Sequence, residues 1–87
     1  KTEEQLVNEG MAAEALLQNE AFNSVVNGLV DTTFELFATS SPGDKESRES
    51  TYQSYKALVD IVNTLKQRVA MRDDINERAS ESRSEEE

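Results

Sequence analysis

The sequence contains no cysteine, no histidine and no tryptophan among its 87 residues. The absence of cysteine excludes a disulfide framework and thiolate chemistry. Histidine is the usual general base near neutral pH, and histidine and cysteine are the ligands that zinc prefers. Because both residue types are missing, we expect a chain that is not an enzyme, binds no metal and carries no cofactor.

Apolar residues are also scarce, at 36% of the chain, against about 45–50% in globular domains when glycine is counted. No run of about 18 apolar residues occurs, so no membrane-spanning helix is expected. The first ten residues, KTEEQLVNEG, lack the basic-then-apolar order of a secretory signal, which favours a cytoplasmic chain. At this length a single core is only marginally stable, so we expect one domain that completes its burial against a partner or copies of itself.

Charge of one sign dominates, and the net charge is −9. Residues 1–40 carry one lysine and seven acidic side chains, a net charge of −6. Residues 41–77 carry six basic and seven acidic side chains, a net charge of −1, and residues 78–87 have a net charge of −2. The acidic first half therefore precedes a nearly balanced second half.

A short basic segment lies within that second half. Residues 56–72 have a net charge of +3, because Asp60 is the single acid there. The basic side chains are Lys56, Lys66, Arg68 and Arg72. An acidic and a basic segment favour antiparallel packing within or between chains, with Lys66, Arg68 and Arg72 steering the association. Two solvated faces explain the pattern equally well, because exposed ion pairs contribute little.

The last third of the domain has the clearest helical periodicity. Its apolar residues follow spacings of three and four, as on one face of an α-helix. These residues are Tyr55, Leu58, Val62, Leu65 and Val69. The only proline lies upstream in ATSSPGDKE, where Ser41 could cap a helix with Pro42 as its first residue, or the helix could start nearer Asp44. A helix over about 44–77 would be roughly 50 Å long, so an elongated molecule is expected.

The segment SVVNGLVDTTF, residues 24–34, fits two structures. Asn27-Gly28 between apolar pairs is typical of a β-hairpin turn. However, the flanking residues do not alternate between apolar and polar. A helical pattern fits better, with spacings of 4, 3, 4 and 3 between Phe22, Val26, Leu29, Thr33 and Leu36. We therefore predict a helix, in which Gly28 either weakens the helix by about 1 kcal/mol or admits a neighbouring helix.

The predicted fold class is all-α, an elongated antiparallel helical hairpin with a short extra N-terminal helix. Asn19 is expected to separate the first two helices, although one continuous helix is the alternative. A single domain over 1–77 would contain helices at about 2–18, 20–39 and 44–77. Residues 78–87, RASESRSEEE, have no large apolar side chain and are predicted to form a disordered acidic tail.

Three charged groupings could suggest other functions. Asp73, Asp74 and Glu77 lack the glycine turn and alternating ligands of a calcium loop, so we interpret them as a solvated helix end. The basic strip formed by Lys66, Arg68, Arg72 and Arg78 is interrupted by these acids, and direct nucleic-acid binding is not expected. The acids of the first half could mimic a phosphate backbone, since Glu9 and Glu20 would share a face of one continuous helix. A solvated acidic face is the simpler interpretation.

Protein partners are therefore the expected ligands, bound through the apolar faces. Tyr52 and Tyr55, with Phe34 and Phe37 on the opposite helix, could form an exposed anchor for a partner, although closing their own core is the favoured interpretation. The residues predicted to form the partner or oligomer interface are Phe22, Val26, Leu29, Phe37, Tyr52, Tyr55, Leu58, Val62, Leu65 and Val69.

Two stretches carry a family resemblance, LLQNEAF (residues 16–22) and FATSSPGDKESRESTYQSYKALVDIVNTL (residues 37–65). Together they resemble small helical proteins of unassigned activity that tailed bacteriophages encode among their head and packaging genes. The likeness covers about residues 11–75. Similar proteins often have proline after the asparagine, where this chain has Glu20, so separation of the first two helices stays open.

The resemblance implies a role in the virion or its assembly. We expect a non-enzymatic structural or assembly protein in the host cytoplasm or on the virion, present as a homo-oligomer or in many copies. Its partner would be itself or a capsid, portal or scaffold protein, with no membrane and no direct nucleic-acid contact. The alternative is a small acidic inhibitor of a host or phage nucleic-acid enzyme.

Overall fold

Three α-helices make up the computed structural model, which describes residues 1–86 and the side chains through residue 84. Helix α1 spans Glu3–Leu17, α2 spans Glu20–Thr39 and α3 spans Lys45–Glu86. The described chain contains no strand. The prediction of an all-α fold with three helices is therefore confirmed, and the helix bounds agree with prediction within one residue everywhere except at the end of α3.

Side-chain caps explain where α1 and α2 begin. Thr2 and Gln5 form a capping box, in which the Gln5 N–H donates to Thr2 Oγ1 at 3.1 Å and the Thr2 N–H donates to Gln5 Oε1 at 2.9 Å. Asn19 has extended backbone angles, and its Oδ1 accepts from the Phe22 N–H at 2.9 Å. The predicted break at Asn19 is thus confirmed, and the continuous helix is excluded.

The hydrogen bonds at residues 41–47 decide between the two predicted starts of α3. The Asp44 N–H donates to the Ser41 carbonyl at 3.0 Å, so Pro42 and Gly43 are the central residues of a turn. Asp44 Oδ1 accepts from the Ser47 N–H at 3.2 Å and caps the helix that follows. Ser41 is therefore not the cap, and the start nearer Asp44 is the correct one.

Asn27-Gly28 lies in the middle of α2, so the helical interpretation of this segment is confirmed. Gly28 has no positive φ angle, which a primed hairpin turn would require. The Thr32 hydroxyl donates to the Gly28 carbonyl at 2.9 Å, and the Thr33 hydroxyl donates to the Val30 carbonyl at 2.7 Å. These threonines satisfy their hydroxyls within the helix instead of ending it.

The C-terminal end of α3 differs from the prediction. The helix was expected to end near residue 77, but it continues to Glu86. Residues 78–86 are therefore helical, and the predicted disorder of the tail is wrong for them, while residue 87 lies outside the described residues. Arginine, alanine and glutamate are good helix formers, and Arg78 pairs with Asp74 one turn earlier at 3.3 Å. The prediction for residues 78–86 rests on their lack of apolar side chains and leaves out their helix propensity.

The chain divides into two compact units, and the division falls within α3. Unit 1 consists of Lys1–Gln18 together with α3 from Asn63 onward, and unit 2 consists of Asn19–Val62. Unit 1 contains α1 packed on the second part of α3. Unit 2 contains α2 and the first part of α3, joined by the turn at residues 40–44 and running side by side in opposite directions.

Unit 1 has the more complete core. Ala13, Leu65 and Ile75 are buried, and so is Gly10 on the same face of α1 as Ala13. A Cβ atom built on Gly10 would lie 2.7 Å from the Arg68 carbonyl oxygen and even closer to the Cβ of Arg72. The backbones of the two helices therefore approach at Gly10 to a distance that only glycine permits.

Unit 2 buries much less. Thr33 is its one residue in the buried class among those described, whereas the apolar side chains of Leu29, Leu36 and Ile61, which line the same groove, are exposed. The chain as a whole has an accessible surface of 6764 Å², about a third more than the roughly 5,100 Å² expected for a folded monomer of this size. Much apolar surface is thus left in contact with water.

Candidate interaction surface

An apolar groove runs between the two helices of unit 2. Its volume is about 430 Å³, and it is lined by residues of α2 and by residues of the first part of α3. The lining residues are Leu29, Thr32, Thr33, Leu36, Ser50, Thr51, Ser54, Ala57, Leu58 and Ile61. We refer to this feature as the unit 2 groove.

Large apolar side chains on α2 and α3 stand exposed along the unit 2 groove. Leu29 and Leu36 are 47% and 52% exposed, and Ile61 on α3 is 50% exposed. Val25 precedes Leu29 by one helical turn and is 62% exposed. On α2, Val25, Leu29 and Leu36 follow one another at spacings of four and seven residues. They therefore form a second apolar stripe beside the stripe that faces α3. Apolar residues that share a face and remain exposed are typical of a surface that contacts another molecule.

Part of the α3 wall of the groove is made of small side chains, and the large side chains of Leu58 and Ile61 follow them toward the C-terminal end of the wall. Ser50, Ser54 and Ala57 line it at spacings of four and three residues. The same three residues also line a shallow depression next to the groove, together with Glu46 and Glu49. Small residues let another helix approach closely, and the adjoining carboxylates place negative charge at the edge of the groove.

The aromatic side chains lie partly in water. The Phe34 and Tyr55 rings are in contact, with centroids 5.7 Å apart and planes inclined by 60°, a tilted arrangement that aromatic pairs favour. Tyr55 and Phe37 are half-buried. Phe34 and Tyr52 are each more than half exposed, so for these two residues the favoured interpretation of a closed core is wrong.

The residues predicted to form a partner interface fall in both units. In unit 1, Leu65 is buried and Val69 is half-buried. In unit 2, Leu29 and Leu58 line the groove, whereas Tyr52 is exposed away from it. The remaining residues of the set are half-buried in unit 2, namely Phe22, Val26, Phe37, Tyr55 and Val62. Most of the predicted interface is therefore engaged within its own unit.

Leu36, Ile61 and the small residues of the groove were not among the predicted interface residues. A signal for them exists in the sequence. Leu29 and Leu36 are seven residues apart, and Ser54 and Ile61 have the same separation on α3, which places each pair on one helix face. Small polar residues beside an apolar stripe could have indicated a surface that contacts a partner helix rather than one that faces solvent.

The residues predicted to steer charge lie in unit 1. The Arg72 guanidinium contacts Glu14 Oε2 at 2.5 Å and Asp73 Oδ1 at 2.8 Å, and its side chain is 14% exposed. The hydrogen bond that Arg72 donates to Glu14, followed by the one it donates to Asp73, raises the pKa of Arg72 above its ordinary value. Arg72 therefore joins α1 to α3, whereas Lys66 and Arg68 are exposed.

A second ion pair lies at the start of unit 1. Lys1 Nζ is 2.8 Å from Glu9 Oε1. The contact with Lys1 lowers the pKa of Glu9 from its ordinary value of 4.5, with a smaller contribution from the Arg68 charge. Both side chains are partly exposed to solvent, so this ion pair contributes little to the stability of unit 1.

Two other kinds of site are absent from residues 1–86. None of the described helices is long and apolar enough to cross a membrane. The described side chains include no group of three or more acidic residues placed to hold a metal ion. Comparison of the chain with protein-family models, curated proteins and solved structures found no match.

Proposed function

We propose that this chain is a non-enzymatic binding protein that acts by packing helices against a protein partner. The observation that carries the proposal is the unit 2 groove, an apolar cleft whose walls hold exposed Leu29, Leu36 and Ile61. Removing such side chains from water favours association, and the gain is offset in part by the ordering of the two partners. The absence of histidine and cysteine from the sequence supports binding over catalysis.

The proposed setting is the assembly or structure of a tailed-phage particle. Support comes from the resemblance of residues 11–75 to small helical phage proteins, described above. The partner would be further copies of the chain or a larger capsid, portal or scaffold protein. Small proteins of this kind gain stability when a particle surface covers the apolar faces that they cannot bury alone.

The test is sedimentation of the tagged chain from its source cells through a density gradient, with mass spectrometry of each fraction. We expect the chain to migrate with particle-sized material in many copies, because a structural protein binds a repeated lattice. Migration as a defined small complex with one polymerase or nuclease would contradict the proposal and support an acidic inhibitor instead.

The acidic-inhibitor alternative loses one of its supports in this structure. Glu9 lies on α1 and Glu20 on α2, and the two helices are interrupted at Asn19. The row of acids that would need one continuous helix is therefore not formed. For that alternative, the net charge of −9 still favours a partner with basic groups.

The electrostatic contribution can be tested at Lys66, which is exposed and does not take part in the Arg72 pairs. We expect Lys66→Glu to weaken association with the partner, and the weakening to diminish at high salt as the charges are screened. The control is Arg83→Glu, a charge reversal at an exposed position of the same unit outside the basic segment. Equal binding by both variants at low salt would show that the basic segment does not steer association.

A further inference from the structure

We infer that the unit 2 groove binds a single amphipathic helix of another protein, with basic residues flanking its apolar face. This inference rests on the proposed function and specifies the site and the chemistry of its partner. The argument uses the length of the groove, the size of the side chains in its walls and the charge along its edges.

The length of the groove fits one short helix. Ser50 and Ile61 mark its extent along α3 and are eleven positions apart, which is about 16 Å at 1.5 Å per residue. A helix lying along it would make about three turns. Its apolar residues would recur at spacings of three and four, as in other complexes where a helix occupies a groove.

The two walls are suited to different parts of such a helix. On α2, Leu29 and Leu36 offer large apolar side chains. On α3, Leu58 and Ile61 add apolar surface at one end, and Ser50, Ser54 and Ala57 are small. Along these small residues the backbone of a bound helix can come close, and its side chains can fill the space between the walls. Three helices then share one apolar centre, which unit 2 cannot build from its own two helices.

The charge of unit 2 selects a basic partner. Unit 2 contains seven acidic and three basic side chains, a net charge of −4. Glu46 and Glu49 line the depression that adjoins the groove through Ser50 and Ser54. None of the three basic residues of this unit lines the groove or that depression. They are Lys45, Arg48 and Lys56.

This charge argues against a second copy as the occupant. Two copies joined through their grooves would bring two units of net charge −4 together, and like charges across an interface disfavour association. A helix with Lys or Arg beside its apolar residues instead gains attraction to Glu46 and Glu49. The same attraction would speed encounter with the partner at low salt.

Two labelled synthetic peptides of about 14 residues test the inference by fluorescence anisotropy with the full chain. Both carry leucines at the same helical spacing, and they differ only in flanking residues, which are lysine in one and glutamate in the other. We expect the lysine peptide to bind at least about tenfold more tightly. Ser54→Trp, which fills the groove, and the double variant Glu46→Lys/Glu49→Lys should each weaken its binding by about tenfold or more.

Matched controls separate the groove from the rest of the acidic surface. Ser80→Trp makes the same substitution at an exposed position of unit 1, and Glu3→Lys/Glu4→Lys makes the same change of charge on α1. Both controls should bind the lysine peptide within about twofold of the original chain. Circular dichroism of every variant verifies that the helices are retained.

Three results would overturn the inference: no binding of the lysine peptide, equal binding of both peptides, or unchanged binding by Ser54→Trp. A dimer of the chain alone that Ser54→Trp dissociates would also overturn it, because a second copy would then fill the groove. The gradient experiment keeps the two proposals apart. If the Ser54→Trp variant still migrates with particles, the groove inference fails and the proposed function stands. If the original chain does not migrate with particles, the proposed function is refuted.

Discussion

Unit 1 and unit 2 each place one helix against part of α3, but the two pairs of helices meet in different ways. In unit 1 the contact is close, since Gly10 lets α1 reach the backbone of α3 at Arg68. Ala13, Leu65 and Ile75 are buried around this point, and Arg72 pairs with Glu14 across the helices. In unit 2 the helices leave a groove between them, and large apolar side chains stand exposed beside it.

The comparison shows how one sequence can divide its apolar residues between stability and binding. Unit 1 uses small residues to bring two helices together and buries Leu65 and Ile75, although Met11, Leu16 and Met71 stay exposed. Unit 2 keeps Leu29, Leu36 and Ile61 exposed along a groove whose α3 wall also holds small residues. If this interpretation is correct, substitutions in unit 1 will mainly change the free energy of unfolding, and substitutions along the groove will mainly change binding.

The largest expected difference comes from the same substitution made in both units. Leu65→Ala should lower the free energy of unfolding by about 2–5 kcal/mol, because it removes a buried side chain and leaves a cavity. Leu29→Ala should lower it by about 1 kcal/mol or less, because Leu29 is 47% exposed. Urea unfolding followed by circular dichroism measures both. Similar losses in the two variants would refute the difference in burial between the units.

The two helical glycines sharpen the comparison. Gly10→Ala should destabilise the chain by about 1–3 kcal/mol, since its Cβ would overlap α3 and force the helices apart. Gly28→Ala should instead stabilise it by about 0.5–1 kcal/mol, because a Cβ at Gly28 meets no atom within 4 Å and alanine is the better helix former. Thermal unfolding should show shifts of opposite sign. A stabilising Gly10→Ala would contradict the close approach of α1 to α3.

The helix cap at the boundary of the units gives an intermediate effect. Asn19→Ala should cost about 1 kcal/mol, because the Phe22 N–H loses its side-chain acceptor. Asn27→Ala is the matched control, in which the same substitution falls inside α2 at an exposed position and should be neutral or slightly stabilising. Chemical denaturation of both variants measures the difference. Equal stability would show that α2 does not depend on its cap.

Sequence reasoning predicted the parts of this fold that depend on local chemistry. Asn19 caps a helix through its own side chain, and Pro42 with Gly43 cannot continue one, so the breaks could be placed without knowledge of packing. The interpretation of Asn27-Gly28 as helical also used only neighbouring residues. By contrast, the end of α3 was misplaced because the absence of apolar residues was taken to mean the absence of a helix.

Features that depend on which helices meet could not be predicted in the same way. Gly10 and Gly28 are both glycines inside helices, and only the position of α3 makes one essential and leaves the other in open space. The sequence shows the apolar stripes, but a stripe does not reveal whether it packs against the same chain or against another molecule. Leu65 was therefore assigned to an interface although it is buried, and Leu36 and Ile61 were omitted although they border the groove.

The smallest expected effect concerns the pH dependence of unit 1. The contact with Lys1 lowers the pKa of Glu9 below 4.5 in the folded chain. This contact stabilises the folded chain fully above pH 4.5, where Glu9 is ionised in both states, and the stabilisation is lost as the pH falls through the lowered pKa. Lys1→Ala should therefore raise the Glu9 pKa toward 4.5, measured from its carboxyl carbon shift in an NMR titration, while Lys56→Ala in unit 2 should leave it unchanged. The stability difference between the original chain and Lys1→Ala should vanish on acidification, and a difference that persists at low pH would show that Lys1 acts through packing rather than through charge.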